Sequence, residues 1–147
     1  MAHLRKQIRD NVVTALTGLS TTGSRVYASR VYPMAAANLP GLCVYAGSEE
    51  VETTTITRPR TQIRTLMLSV EGFAVATSGL DNTLDAISLE VEEALAVDPS
   101  RSNLAKDTRV ETIEAEYVDE GEQPVGTIRI DVAVEYAALE TDLETAL

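Results

Sequence analysis

The stretch Gly126-Thr127-Ile128-Arg129-Ile130-Asp131-Val132-Ala133-Val134-Glu135-Tyr136-Ala137 decides the fold. Ile128, Ile130, Val132, Val134 and Tyr136 alternate with Arg129, Asp131, Ala133 and Glu135, the two-residue period of a strand with one face in a core and the other toward water. Residues 108–118 repeat the pattern, with Ile113, Ala115 and Tyr117 against Glu114 and Glu116. Between them, residues 119–125 carry Gly121 and Pro124 and read as a hairpin loop. Both strands of this hairpin are thus expected to turn an apolar face to the core, and that face needs a covering layer.

Two amphipathic segments can supply the cover. Leu80, Leu84, Ile87, Val91 and Leu95 form a stripe at helical spacing, with Ser78 as candidate N-cap, Asp81 and Asp85 near the positive end of the helix dipole, and Asp98-Pro99 as the stop. In residues 3–17, Leu4, Ile8, Val12 and Leu16 lie at i, i+4, i+8 and i+12, with Arg5, Lys6, Arg9 and Asp10 on the other side and Gly18 as the stop. Residues 61–77 are nearly uncharged and rich in β-formers, with Leu66, Leu68, Val70 and Ala74 on one face and Ile63, Met67, Phe73 and Val75 available to the other; this reads as a central strand with both faces partly covered. A short strand over residues 25–31 and a buried run Leu42-Cys43-Val44-Tyr45 precede it.

Residues 48–60 are rich in Thr, poor in core residues and closed by Arg58-Pro59-Arg60. They read as an extended arm or loop that does not pack on its own monomer, in preference to a plain hairpin limb. Residues 138–147, with Leu139, Leu143 and Leu147 four apart among acids, read as a short helix or a free acidic tail. The element order α-β-β-β-α-β-β gives an α+β fold: an antiparallel or mixed sheet of four to five strands with two helices packed on one face. No repeat or linker divides residues 1–147, which are expected to form a single domain.

The composition narrows the function. The chain has 147 residues, 44% hydrophobic and 24% charged, with 12 basic and 23 acidic side chains and a net charge of −11. Residues 1–65 hold eight bases and four acids, a net of about +4; residues 66–147 hold four bases and 19 acids, a net of about −15. Such an acidic surface argues against a sequence-reading DNA binder or a peripheral membrane protein. No apolar run is long enough to span a bilayer, and the first residues lack the apolar core of a signal peptide, so the expected location is the cytoplasm. One histidine, His3, in an end expected to fray, and one cysteine, Cys43, leave little for nucleophilic catalysis or a zinc site. No phosphate-binding loop or nucleophile elbow is present, and Asp119-Glu120-Gly121-Glu122 lacks the ligand spacing of an EF-hand, so no catalytic residue, metal or cofactor is expected.

The segments Thr22-Gly23-Ser24-Arg25-Val26-Tyr27, Arg30-Val31-Tyr32-Pro33, Leu39-Pro40 and Val44-Tyr45-Ala46-Gly47, with Glu49 and Glu50, resemble the tail terminator (tail completion, minor tail protein U-like) proteins of long-tailed bacteriophages. The resemblance covers residues 1–52, through the opening helix, the Gly-x-Arg-Val-Tyr segment and a Pro-x-Leu-x-Val-Tyr segment met by Pro40, Leu42, Val44 and Tyr45. It implies a structural virion protein without enzymatic activity. Such a protein forms a hexameric ring on the last ring of the tail tube, stops tube polymerisation and presents the surface to which the head connector attaches. The implied partners are further copies of the chain, the tail tube protein and the head-tail connector protein, with DNA passing through the channel unread and no membrane involved. The implied location is the head-proximal end of the virion tail, after assembly in the host cytoplasm.

Glu114, Glu116, Asp131 and Glu135 are expected to cluster on the solvent face of the hairpin, with Asp119, Glu120 and Glu122 in its loop. These carboxylates either line a channel that must not grip DNA or serve solubility. A ring needs unlike patches to meet, and Arg58, Arg60 and Arg64 facing Glu90, Glu92 or Glu93 of a neighbour would supply them, with ordinary surface charge as the competing explanation. Tyr27, Tyr32 and Tyr45 read as core or strand residues rather than binding anchors. Two alternatives stand beside the terminator: a head-tail joining or neck connector component, and a small enzyme using a carboxylate pair from the hairpin, which requires a concave, partly desolvated site.

Overall fold

The period-two segment forms the strand that organises the sheet. In the computed structural model, which describes residues 2–28, 40–75, 79–118 and 125–147, the elements are α1 (Leu4–Leu16), β1 (Val26–Tyr27), β2 (Gly41–Thr53), β3 (Thr61–Val75), α2 (Leu80–Val97), β4 (Asp107–Val118) and β5 (Val125–Leu139). The five strands lie in the order β1-β2-β3-β5-β4. β1 runs parallel to β2 and every other pair is antiparallel. The fold is therefore the expected α+β arrangement, with a mixed sheet.

One hydrophobic cluster joins both helices to one face of this sheet. Leu4, Ile8, Val12 and Leu16 of α1, and Leu84, Ile87, Val91 and Leu95 of α2, are buried against Leu42, Val44, Leu66, Leu68, Val70, Ile130, Val132 and Val134. α1 lies over β1 and β2, and α2 over β3 and β5. The close approach of α2 depends on two glycines. A Cβ on Gly72 would sit 2.8 Å from Ile87 Cγ2, and one on Gly126 would sit 3.0 Å from Leu80 and Leu84 side-chain atoms. With Ala74 opposite Gly126, the sheet offers a trough in which the large residues of α2 rest.

The helix ends differ from the simplest reading of the sequence. His3 is not frayed: it N-caps α1, its Nδ1 accepting from the Arg5 backbone N–H at 3.0 Å, while the Leu4 N–H donates to the Leu143 carbonyl at 2.8 Å. The proposed cap Ser78 lies outside the described residues, and Gly79, at φ 69°, occupies the N-cap position of α2 without a side-chain cap. At the other end, Asp98 closes α2 as expected, and the fully buried Arg101 donates from Nη2 to the Leu95 carbonyl at 2.7 Å and to the Asp98 carbonyl. A cation on the orphan carbonyls of a helix C-terminus is favoured by the dipole, and burial pushes the Arg101 pKa below its ordinary value. Arg101, Ser102 and Asn103 are all left-handed, with φ of 50°, 58° and 67°, which turns the chain from α2 into β4.

Three further expectations are corrected. Residues 48–53 are not an arm away from the monomer but the second half of β2, paired to β3 from Glu49↔Leu66 to Thr53↔Gln62; only residues 54–60 form the connecting loop. They resembled an arm because this end of β2 is largely exposed. Residues 140–147 are neither a helix nor a free tail: Leu143 and Ala146 pack on the core, and the Leu147 N–H donates to the Ala137 carbonyl at 3.0 Å. Finally, Ile113, Ala115 and Tyr117 do lie on the helix side of the sheet, in register with Ile130, Ile128 and Gly126, yet they are exposed rather than buried. The reason is width. Two helices about 10 Å across cover about four strands spaced ~4.8 Å apart, so a fifth strand is left uncovered.

Candidate functional site

Among the described residues no helix packs on the other face of the sheet, and Glu114, Glu116, Asp131 and Glu135 share that face as expected. Register keeps them from opposing one another. Glu114 faces Arg129, with Nη2 to Oε2 at 3.2 Å, and Glu116 faces Thr127. Asp131 is tied from both sides, accepting from Ser69 Oγ of β3 at 2.9 Å and from Thr112 Oγ1 of β4 at 2.8 Å, beside the bulge between Val110 and Thr112. The directly opposed acids are Asp107 and Glu135, and Arg109 bridges them at 3.0 and 3.9 Å. The carboxylates therefore sit on an open strand face with two guanidinium groups among them, a different setting from the enclosed pocket that acid-base chemistry requires. Asp119, Glu120 and Glu122 lie outside the described residues.

The residues expected at a subunit contact separate into two groups. Arg64 is turned inward, its side chain only 12% exposed, and pairs with Glu49 of its own chain at 3.1 Å. Glu90 is also used internally, accepting from the Thr21 backbone N–H at 2.8 Å and from the Thr21 hydroxyl. Both side chains are thus engaged within their own chain. Glu92 accepts from Ser88 Oγ at 2.6 Å on the flank of α2. Arg58 and Glu93 are exposed, and Arg60 is half-buried, its backbone N–H donating to Glu140 Oε1 at 3.1 Å. Tyr27 and Tyr45 are half-buried strand residues, and the Tyr45 hydroxyl donates to Glu71; Tyr32 lies outside the described residues.

Two constellations were not read from the sequence. The first is a buried polar knot on Glu49, whose side chain is 6% exposed. A bulge between Ala46 and Glu49 shifts the register of β2, so that Glu49 faces the helix side beside Tyr136 and Arg64. Oε1 accepts from the Tyr136 hydroxyl, and Oε2 accepts from Arg5 at 3.2 Å and Arg64 at 3.1 Å. Burial, reinforced by the Glu49 hydrogen bond and charge, pushes the Tyr136 hydroxyl far above its ordinary pKa. His3 is held below its ordinary value by burial and then by the adjacent Arg5. Gly47 inside an otherwise β-forming run was the one available signal of the bulge.

The second is a groove between α2 and β4. Its floor holds Val110, Ile113 and Tyr117, exposed at 37%, 44% and 54%. Its wall is the acidic flank of α2, where the Asp81 carboxylate, accepting from the Tyr117 hydroxyl, raises the Tyr117 pKa, with desolvation and then the charges of Asp81 and Asp85 adding to the rise. Glu92 continues that flank at helical spacing.

No protein-family model matches the sequence, and none of the curated proteins matches it. By shape the chain is similar to one in a solved structure described as "Virion of native gene transfer agent (GTA) particle", with 19% identity, coverage of 90% of this chain and 92% of that one, and a TM-score of 0.40.

Proposed function

We propose that this chain is the subunit of a homo-oligomeric ring, hexameric when assembled, that ends the tail tube of a long-tailed phage and offers its exposed surface to the head connector. One observation carries the reading. Among the described residues, the sheet ends on one side in β4, a 12-residue strand paired along one edge only and exposed on its helix side, and on the other in β1, a strand of two residues. A long exposed edge with apolar residues beside it is an aggregation liability in a free monomer. Burial against an unlike patch of the next copy resolves the liability, and repeating that contact around an axis closes a ring.

The terminator-like segments at residues 22–27 and 40–45 support the same role, since they build the β1–β2 end of the sheet. In this reading the helix-free face with Glu114, Glu116, Asp131 and Glu135 turns toward the channel, where negative charge keeps DNA phosphates from adhering. The role is structural, and the charges steer assembly and passage rather than chemistry.

Light scattering on the eluting protein should give a mass near six times 15.8 kDa, either alone or after addition of tail tubes. Electron microscopy of particles made without the protein separates the functions. Overlong tails support the terminator, and tails of normal length detached from filled heads assign the chain to the head-tail joint instead. Normal tails on normal heads overturn both.

A further inference from the structure

The loop that joins β2 to β3 carries Ile56, exposed at 95%, between threonines and the pair Arg58 and Arg60. An isoleucine held almost wholly in water loses the favourable transfer that its side chain gains anywhere apolar. In the same molecule, the groove between α2 and β4 has an apolar floor and an acidic wall with no element covering it among the described residues. Each surface has what the other lacks: an apolar projection flanked by guanidinium groups, and an apolar slot flanked by carboxylates.

We propose that residues 54–60 of one copy dock into the α2–β4 groove of the next, with Ile56 against Ile113 and Tyr117 and with Arg58 and Arg60 toward Asp81 and Asp85. The proposal rests on the ring reading and names the contact that closes it. A chain does not satisfy its own groove. Thr61, just after the loop, pairs with Leu139, whereas Tyr117 pairs with Gly126. Those two positions on β5 are 13 residues apart, about 40 Å at ~3.3 Å per residue. The loop thus projects from one end of the sheet while the groove opens along a different edge, which makes the contact heterologous, as a ring requires. Charge favours this occupant over a second β4, because pairing two β4 edges sets acids against acids.

Two measurements test the contact. Chains carrying Ile56→Cys and chains carrying Ile113→Cys are mixed and treated with a short bismaleimide cross-linker, the native Cys43 being buried. Covalent dimers should form in the mixture and not in either variant alone. Separately, R58E with R60E should reduce the oligomer to monomer by light scattering, and adding D81R with D85R should restore it, with circular dichroism confirming the fold of each variant. An oligomer that persists in the R58E/R60E variant and gives no 56–113 cross-link overturns the docking and leaves the ring standing. A chain that remains monomeric, with and without tail tubes, and gives no cross-link overturns the docking and the ring together.

Discussion

Replacing Glu49 with Gln keeps the volume and one acceptor oxygen but removes the charge that holds two guanidinium groups and a phenol. The cost follows from the burial of each partner. Arg64 is 12% exposed, and removing one member of a buried pair costs about 3–5 kcal/mol when the other is left alone. Arg64 is not left alone, because Gln62 Oε1 accepts from its Nε at 3.2 Å and its Nη2 at 2.9 Å. Arg5 is 45% exposed and its share is below ~1 kcal/mol. Tyr136 can donate to the amide oxygen as it did to the carboxylate. The expected loss is therefore about 2–3 kcal/mol, a fall in Tm of roughly 6–9 °C for a chain of this length. Urea unfolding of Glu49→Gln, with Arg5→Ala as the exposed control, measures it through the midpoint at unchanged slope. A loss under ~0.5 kcal/mol, or an Arg5→Ala loss as large as that of Glu49→Gln, would refute the assignment of Glu49 as a buried hub.

Three other outcomes follow from the same structure. His3 binds its proton less readily when folded than at its ordinary value of 6.5, so its contribution is complete above pH 6.5 and is lost as pH falls through the lowered value. His3→Asn keeps an acceptor for the Arg5 N–H without titrating; between pH 7 and 5 it should lose less stability than the parent, and an equal fall in unfolding free energy for both chains, read from the urea midpoints at each pH, would sink the idea. Gly72→Val drives a side chain into Ile87 and Ile128 and should cost about 1–3 kcal/mol, with partial recovery in the double variant Gly72→Val/Ile87→Ala; thermal melts decide. Ser102→Gly removes a side chain at φ 58° and should raise stability by several tenths of a kcal/mol, less the exposed 3.2 Å hydrogen bond from Asn11; a lower melting temperature would contradict the strain.

The elements were legible wherever periodicity met a covered face. Leu4, Ile8, Val12 and Leu16, and Leu84, Ile87, Val91 and Leu95, all reach the core because each helix rests on two strands. Where cover was lacking, the pattern misled in both directions. Ile113, Ala115 and Tyr117 have the alternation of a buried strand, but sequence carries no account of how many strands two helices can span. Residues 49–53 have no core-like pattern, yet each is paired to β3, since backbone hydrogen bonds need no apolar side chain. Of the expected contact residues, Arg64 and Glu90 have partners within the chain that the sequence did not show: the bulge at Ala46/Glu49 brings Glu49 to Arg64, and Thr21 donates to Glu90.

Placed in the fold, the separation of charge along the chain becomes a separation in space. α2 carries Asp81, Asp85, Glu90, Glu92 and Glu93 with no base, and β4 beside it carries Asp107, Glu111, Glu114 and Glu116 against Arg109. At the opposite edge of the sheet, α1 brings Arg5, Lys6 and Arg9 against Asp10, and the β2–β3 loop adds Arg58 and Arg60 beside Glu50 and Glu52 of β2. This asymmetry selects among the ways an exposed edge can be covered. Two copies related by a two-fold axis through β4 would juxtapose their acidic sides, and like charges held together in a desolvated contact oppose association. Copies related by a rotation that brings basic loop to acidic groove gain attraction at every contact, and every copy in a closed ring has both surfaces filled. In the proposed ring, the acids on β4 would act against the dimer as much as for the ring, which is consistent with a strand that keeps its apolar stripe exposed while surrounding it with carboxylates.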